Sequence, residues 1–128
     1  MPKCLVQVHG KPLLQYQLES LEQAGIQNFI IVVGYLGNQL QHKFGAKFSN
    51  VRITYVTNEI FQDTNNIYSL WLARQEMDDD ILLLECDLLF ENELLQDLNM
   101  SPYPDVAVVD RFHTPMDGTV ILAQDGIA

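Results

Sequence analysis

Residues 13–34 read LLQYQLESLEQAGIQNFIIVVG, and the order of patterns in this stretch decides the fold class. Leu14, Leu18, Leu21 and Ala24 recur at the three- and four-residue spacing that gathers side chains on one side of a helix. Gly25 then offers the left-handed backbone on which helices commonly end. Phe29-Ile30-Ile31-Val32-Val33 follows, a short β-branched run closed by Gly34, as expected of a strand covered on both faces. Helix, tight turn and buried strand make one arm of an alternating α/β chain.

The alternation continues downstream. Leu36, Leu40 and Phe44 predict a short helix, and Val51, Ile53 and Tyr55 alternate with polar residues as in a strand. A further helix is expected from Asn65 or Asn66 through Ile67, Leu70, Trp71, Arg74 and Met77, with its apolar stripe on the core and Trp71 read as packing. Asp78-Asp79-Asp80 reads as a solvated loop. Ile81-Leu82-Leu83-Leu84 running into Glu85-Cys86-Asp87-Leu88-Leu89-Phe90 reads as an interior strand, followed by a short helix with Leu94, Leu95 and Leu98. Asp105 to Asp110 and Thr119 to Leu122 read as two more strands, the second turning at Gln124-Asp125-Gly126. Upstream, Pro2 to Pro12 is a short extended stretch that turns at His9-Gly10. The expected class is α/β, a doubly wound, mostly parallel sheet with helices on both faces, in one domain over residues 1–128.

Composition narrows the function. Seventeen acidic residues against seven basic ones give a net charge of -10, which repels phosphate backbones and anionic lipid surfaces. The expected partners therefore include no nucleic acid and no membrane, and no apolar run approaches the ~20 residues that span a bilayer. Cys4 and Cys86 are the only cysteines, far apart and without metal-ligand spacing, in keeping with a reducing cytoplasm. The amino-terminal residues show no leader pattern. His9, His42 and His113 are scattered and receive no role.

In a doubly wound sheet, ligands bind beyond the carboxyl ends of the strands, so a polar residue there carries weight. Asp87 follows the leucine run and is expected at such an end, where its carboxylate needs a partner. A hard cation such as magnesium satisfies it, and so does a lysine or a set of backbone amides; position alone leaves these open. Glu85 alternates with Asp87 and can share its face. Lys3 and Lys11, near the start of the first helix, are candidates for phosphate oxygens, with solvent exposure as the plainer reading. Asn58, Thr64, Asn65, Asn66, Tyr68 and Ser69 form a polar cluster larger than capping needs, suited to hydrogen-bonding a base, ribose or substrate.

Six elements in order then carry a resemblance: Pro2-Lys3-Cys4-Leu5-Val6, Gly10-Lys11-Pro12-Leu13-Leu14, Ala24-Gly25-Ile26, Ile31-Val32-Val33-Gly34-Tyr35, Asn65-Asn66-Ile67-Tyr68-Ser69-Leu70 and Glu85-Cys86-Asp87-Leu88-Leu89-Phe90. The chain resembles the nucleotidyltransferases that act on sugar phosphates and phosphocholine, with the Asn-Asn-Ile-Tyr-Ser-Leu element closest to the phosphocholine cytidylyltransferases. The resemblance implies a Rossmann-like nucleotide-diphospho-sugar transferase fold and transfer of a nucleotide from an NTP to a sugar phosphate or phosphocholine, with release of pyrophosphate. It implies Asp87 as ligand of Mg2+ and Lys3 as the catalytic lysine at the phosphates. With it go Lys11, Asn65, Asn66, Tyr68 and Ser69 as nucleotide- or substrate-binding residues. The implied partners are an NTP and a phosphorylated small molecule, and a homo-oligomer is left open. The family's glycine-rich phosphate loop and its second metal aspartate have no counterpart here, so the domain is expected to be incomplete at both ends. Two other readings stand beside the enzyme: a non-catalytic binding or regulatory remnant of the fold, and a metal-dependent glycosyltransferase, which the absence of Asp-x-Asp at Asp87-Leu88-Leu89 disfavours.

Overall fold

A computed structural model of the chain describes residues 1–117 and residue 121. The chain opens with a 3-10 turn, Lys3–Leu5, and a two-stranded antiparallel hairpin of β1 (Gln7–Val8) and β2 (Lys11–Pro12). His9 and Gly10 connect the strands at φ of 50° and 79°. Two successive left-handed residues are what a tight two-residue hairpin needs, and glycine supplies the second at no steric cost. The Leu13 amide donates to the Val6 carbonyl at 3.0 Å, which folds the hairpin directly against the start of α1 (Leu13–Gln23).

Helix α1 buries Leu14, Gln17, Leu18 and Leu21, the stripe expected from spacing with one polar member. Gly25 takes φ of 88° and its amide donates to Glu22, while the Ile26 amide reaches back to Leu21. After that stop come β3 (Asn28–Val33), α2 (Gly37–Phe44), β4 (Lys47–Phe48), β5 (Val51–Thr57), α3 (Asn66–Ala73), a 3-10 turn (Arg74–Glu76) and α4 (Asn92–Asn99).

The larger sheet is mixed, in the order β3-β5-β4. β3 and β5 run parallel, with Phe29 beside Ile53 and Val33 beside Thr57, and β4 closes the other edge of β5 antiparallel. This register aligns Phe29, Ile31 and Val33 with Ile53 and Tyr55 on one face. There they meet Leu14 and Leu18 of α1 and Leu40 and Phe44 of α2 in one core, together with Cys4, Leu5 and Val51. The opposite face, with Ile30, Val32, Thr54 and Val56, is half-buried. The α/β class and the first two helix-strand arms are as the sequence predicts.

Other expectations need correction. Residues 81–90 form no strand: they run as an irregular segment, with Ile81, Leu83 and Leu89 exposed. A leucine run supplies a tendency to be buried, but a strand exists only where a neighbour accepts its ladder hydrogen bonds. No described residue offers this segment such a ladder. Asp105 to Asp110 is likewise irregular, with Val106, Val108 and Val109 exposed. The strand expected over Thr119 to Leu122 lies outside the described residues except for Ile121, which is not in a strand. In α3 only Ala73 is buried, and Trp71 is 51% exposed rather than packed in the core. Its ring stacks on Tyr68 at 5.6 Å, and the Arg74 guanidinium lies 3.7 Å from its centroid.

One surface contact joins α1 to the β4–β5 turn. The Glu22 carboxylate accepts from the Ser49 hydroxyl at 2.7 Å and the Asn50 amide at 3.1 Å. The Ser49 bond, then the Asn50 bond, holds the carboxyl below its ordinary value. Because the folded value lies below the unfolded one, this contribution is complete above about pH 4.5 and is lost as the pH falls through the folded value. Glu22→Gln is expected to lose less stability than the parent chain between neutral pH and about pH 3, measured by urea unfolding. Equal losses would place the acid sensitivity elsewhere.

Candidate functional site

The loop that carries Asp87 is held from beneath by α1. Gln17, 5% exposed, donates both amide hydrogens to main-chain carbonyls, Glu85 at 3.0 Å and Leu88 at 2.8 Å. These two anchors bracket Cys86 and Asp87. The sequence carried a signal for this: Gln17 occupies a position three residues after Leu14 and four before Leu21, inside the apolar stripe. A polar side chain there must find partners on folding.

The Lys3–Leu5 turn meets the same loop from the side. Lys3 Nζ lies 3.7 Å from Asp87 Oδ2. The side chains are 80% and 46% exposed, so the pair contributes only about 0–1 kcal/mol to stability and leaves both charges open to solvent. Beside this pair in the chain stand two free thiols, Cys4, which is buried, and Cys86, which is exposed. The neighbouring Cys86 side chain, then burial, pushes the Cys4 thiol far up, and Cys4 in turn holds Cys86 down at about 7, against burial and the charges of Asp87 and Glu85.

From the third side comes the start of α3. Asn66 Nδ2 donates to Glu85 Oε1 at 3.2 Å. Asn65 caps the helix, its side chain accepting from the Tyr68 amide at 3.3 Å. The turn before the helix is organised by Asn58, 2% exposed and next after β5. Its amide nitrogen donates to Thr64 Oγ1 at 2.9 Å and Ser69 Oγ at 3.2 Å, and its oxygen accepts from the Ile60 amide. The Asn58 main-chain amide also closes on the Val33 carbonyl at 2.8 Å, fixing this turn to the carboxyl end of β3. Asn58→Ala strands the Ile60 amide and removes the donor to the Thr64 and Ser69 hydroxyls, of which Thr64 keeps its bond to the Ile60 carbonyl; a loss of about 2–4 kcal/mol is expected by urea unfolding, with α3 exchanging amide hydrogens faster.

Lys3, Asp87, Glu85 and Asn66 thus converge beside the carboxyl end of the sheet. Lys11 is held differently: its ammonium pairs with Glu19 and lies 3.9 Å from the centre of the Tyr16 ring. Ser69 serves Asn58, and Tyr68 serves the stack with Trp71, beside an open apolar groove of about 360 Å³ lined by Asn65, Ile67, Tyr68 and Trp71. A polar depression of about 350 Å³ between Lys47, Arg52, Asn28 and Asn50 lies at the amino ends of β3 and β5, away from the Asp87 loop.

Among the described residues no group of three or more His, Cys, Asp or Glu side chains is disposed to hold a metal by itself. Asp87 is a single, half-exposed hard-oxygen donor beside a cation. This donor set fits magnesium in the form that keeps most of its shell as water and substrate phosphate, and does not fit a caged structural ion. No helix among the described residues is long and apolar enough to cross a membrane.

Residues 1–121 match the family model of the MobA-like NTP transferase domain. The chain belongs to that family. It is 36% identical over 127 residues to a CMP-5'-(3-aminopropyl)phosphonate synthase of Streptomyces rubellomurinus, covering 98% of this chain and 20% of that protein. It is 40% identical over 105 residues to a choline-phosphate cytidylyltransferase of Streptococcus pneumoniae, covering 80% of this chain and 43% of that one. The chain therefore spans less than half the length of either relative. A solved CTP:phosphocholine cytidylyltransferase from Streptococcus pneumoniae superposes on 59% of this chain and 32% of its own, at 46% identity and a TM-score of 0.47.

Proposed function

We propose that these residues belong to a cytidylyltransferase, in which a phosphate or phosphonate oxygen of a small amino- or ammonium-bearing acceptor attacks the α-phosphorus of CTP and expels pyrophosphate. The observation that carries the reading is the exposed Lys3–Asp87 pair at 3.7 Å on a loop pinned from below by Gln17. An exposed ion pair adds little to the fold, so opposite charges set side by side and left open to solvent suit a ligand that carries phosphate and a cation. The names of the two relatives, each a cytidylyl or CMP transfer to a phosphate or phosphonate, support CTP as donor.

In this reading Asp87 holds magnesium, which when bound supplies positive charge at the triphosphate oxygens. Lys3 lies against the same oxygens and neutralises charge that builds up as the pyrophosphate leaves. Neither residue is a nucleophile; the attacking oxygen belongs to the acceptor. Asn66 holds the Glu85 carboxylate through its side-chain amide, and Asn65, Tyr68 and Ser69 build the wall at the start of α3 along which substrate lies. Lys11 contributes once it exchanges Glu19 for a phosphate.

The test is pyrophosphate release from each of the four NTPs with magnesium, on the longest open reading frame that contains these residues. Phosphocholine, 3-aminopropylphosphonate and glucose 1-phosphate serve as acceptors. CTP with either of the first two is expected to give the fastest release. Preference for another NTP with the sugar phosphate, or no release with any pair, overturns the reading.

A further inference from the structure

We propose that the depression at the amino ends of β3 and β5 is a second binding site, which takes a small phosphoryl anion, a phosphate monoester or pyrophosphate, between Lys47 and Arg52. The inference stands on the register of the sheet and does not depend on the cytidylyltransferase reading.

The register sets two cations side by side. Lys47 of β4 stands directly opposite Arg52 of β5, and Asn28 of β3 is the partner of Arg52 on its other side. Residues paired across strands project from the same face of a sheet, so Asn28, Arg52 and Lys47 form one row over three strands. Directly opposed residues of an antiparallel pair hold their Cβ atoms roughly 5 Å apart, and like charges placed so destabilise the pair. The ion pairs among the described residues are Lys3–Asp87 and Lys11–Glu19, so neither Lys47 nor Arg52 has a carboxylate to offset this. In a chain with seventeen acidic residues and seven basic ones, two bases set against each other are the arrangement that chance supplies least often. An anion lying between them turns the repulsion into attraction.

The surroundings add donors and no competing charge. Gln27, Asn28 and Asn50 line the depression beside the two cations, Ala46 completes it, and none of these residues is acidic. Glu22 reaches the adjoining β4–β5 turn, but its carboxylate is engaged by the Ser49 hydroxyl and the Asn50 main-chain amide, which fixes the turn. Main-chain bonds tie the three strands together here: the Arg52 amide donates to the Gln27 carbonyl at 2.8 Å, and the Ile53 amide to the Ala46 carbonyl at 3.0 Å. A guanidinium offers phosphoryl oxygens a planar fork of donors, and an ammonium offers them a compact charge. The volume of about 350 Å³ lies at the lower end of the ~300–1,000 Å³ range of small-molecule sites, which suits a ligand of few atoms. The depression is separate from the Lys3–Asp87 pair. Strand β3 begins here at Asn28 and ends at Val33 beside the Asn58 turn, roughly 16 Å further along at ~3.3 Å per residue.

Pyrophosphate and glycerol 1-phosphate, each titrated into the isotopically labelled 128-residue chain without magnesium and at ionic strength held constant with sodium chloride, test this by nuclear magnetic resonance. The Arg52 Nε–H signal and the side-chain amides of Asn28 and Asn50 are expected to shift together along one saturating curve, and the ligand with the lower midpoint identifies which of the two anions the site prefers. Calorimetry is expected to give binding about tenfold weaker in Arg52→Gln and in Lys47→Gln, one charge-assisted contact being lost in each, and none in the double variant. Lys3→Gln is expected to leave the Asn28, Asn50 and Arg52 curve where it is in the parent. With no anion present, both single variants are expected to resist urea at least as well as the parent, because each removes a like-charge opposition. Should a variant fail to fold by circular dichroism, the shifts in the parent chain decide alone. Shifts at Asn28, Asn50 and Arg52 that never saturate, or that chloride reproduces, overturn the proposal. So does an affinity unchanged in both single variants, or a curve at these residues that Lys3→Gln abolishes.

Discussion

Asp87→Asn is expected to abolish magnesium-dependent CTP binding and to lower pyrophosphate release by about two to three orders of magnitude, the scale on which a single electrostatic contact at a transferring group counts. The same change is expected to leave stability within about 1 kcal/mol, because Asp87 is half-exposed and its pairing with Lys3 is of the weak, solvent-screened kind. Asparagine keeps the size of the side chain and loses the charge, so packing at the loop is undisturbed. Calorimetric titration of CTP with and without magnesium, beside urea unfolding of the same variant, separates the two effects. A variant that binds CTP as before but unfolds several kcal/mol more easily would make Asp87 a structural carboxylate.

Legibility from sequence followed the range of the interactions involved. Helix α1, its stop at Gly25 and strand β3 were readable because their causes lie within a turn or two of the residues themselves: a stripe of leucines, a glycine at φ of 88°, a β-branched run. The Asn65 cap was readable for the same reason. Residues 81–90 were misread as a strand because a leucine run looks the same whether or not another strand lies beside it, and the partner is a non-local fact. Trp71 was misread because helical spacing says which residues share a side of α3 but not what that side faces. At the site, Lys3 and Asp87 stand out by position and the resemblance supplies their roles, whereas their approach spans more than eighty residues of chain and has no local signature. Gln17 lay within reach of the sequence, as a polar intruder in an apolar stripe, but its partners are main-chain carbonyls, which no residue identity encodes.

Gln17→Leu is the change that most sharply separates holding the site from being the site. Leucine fits the stripe of α1 in size and polarity, so the core itself is little disturbed. What disappears is the pair of hydrogen bonds to Glu85 and Leu88. Their loss is expected to cost about 1–3 kcal/mol, toward the lower end where water can reach the freed carbonyls of the exposed loop. The functional cost is expected to be larger than this figure suggests. Released from α1, the loop samples positions in which Asp87 and Lys3 no longer face one ligand, and affinity falls by the fraction of time the competent position is lost. Amide hydrogens of residues 85–89 are expected to exchange faster in Gln17→Leu while those of β3 and β5 keep their rates relative to global unfolding. The decisive measurement is a cycle with Asp87→Asn. If Gln17 acts only by positioning the carboxylate, its replacement weakens CTP binding in magnesium in the parent chain and leaves unchanged the residual, magnesium-independent CTP affinity of Asp87→Asn, so the two changes are strongly non-additive in binding yet additive in unfolding free energy. Equal weakening in both backgrounds would show that Gln17 supports the fold at large and not the placement of Asp87.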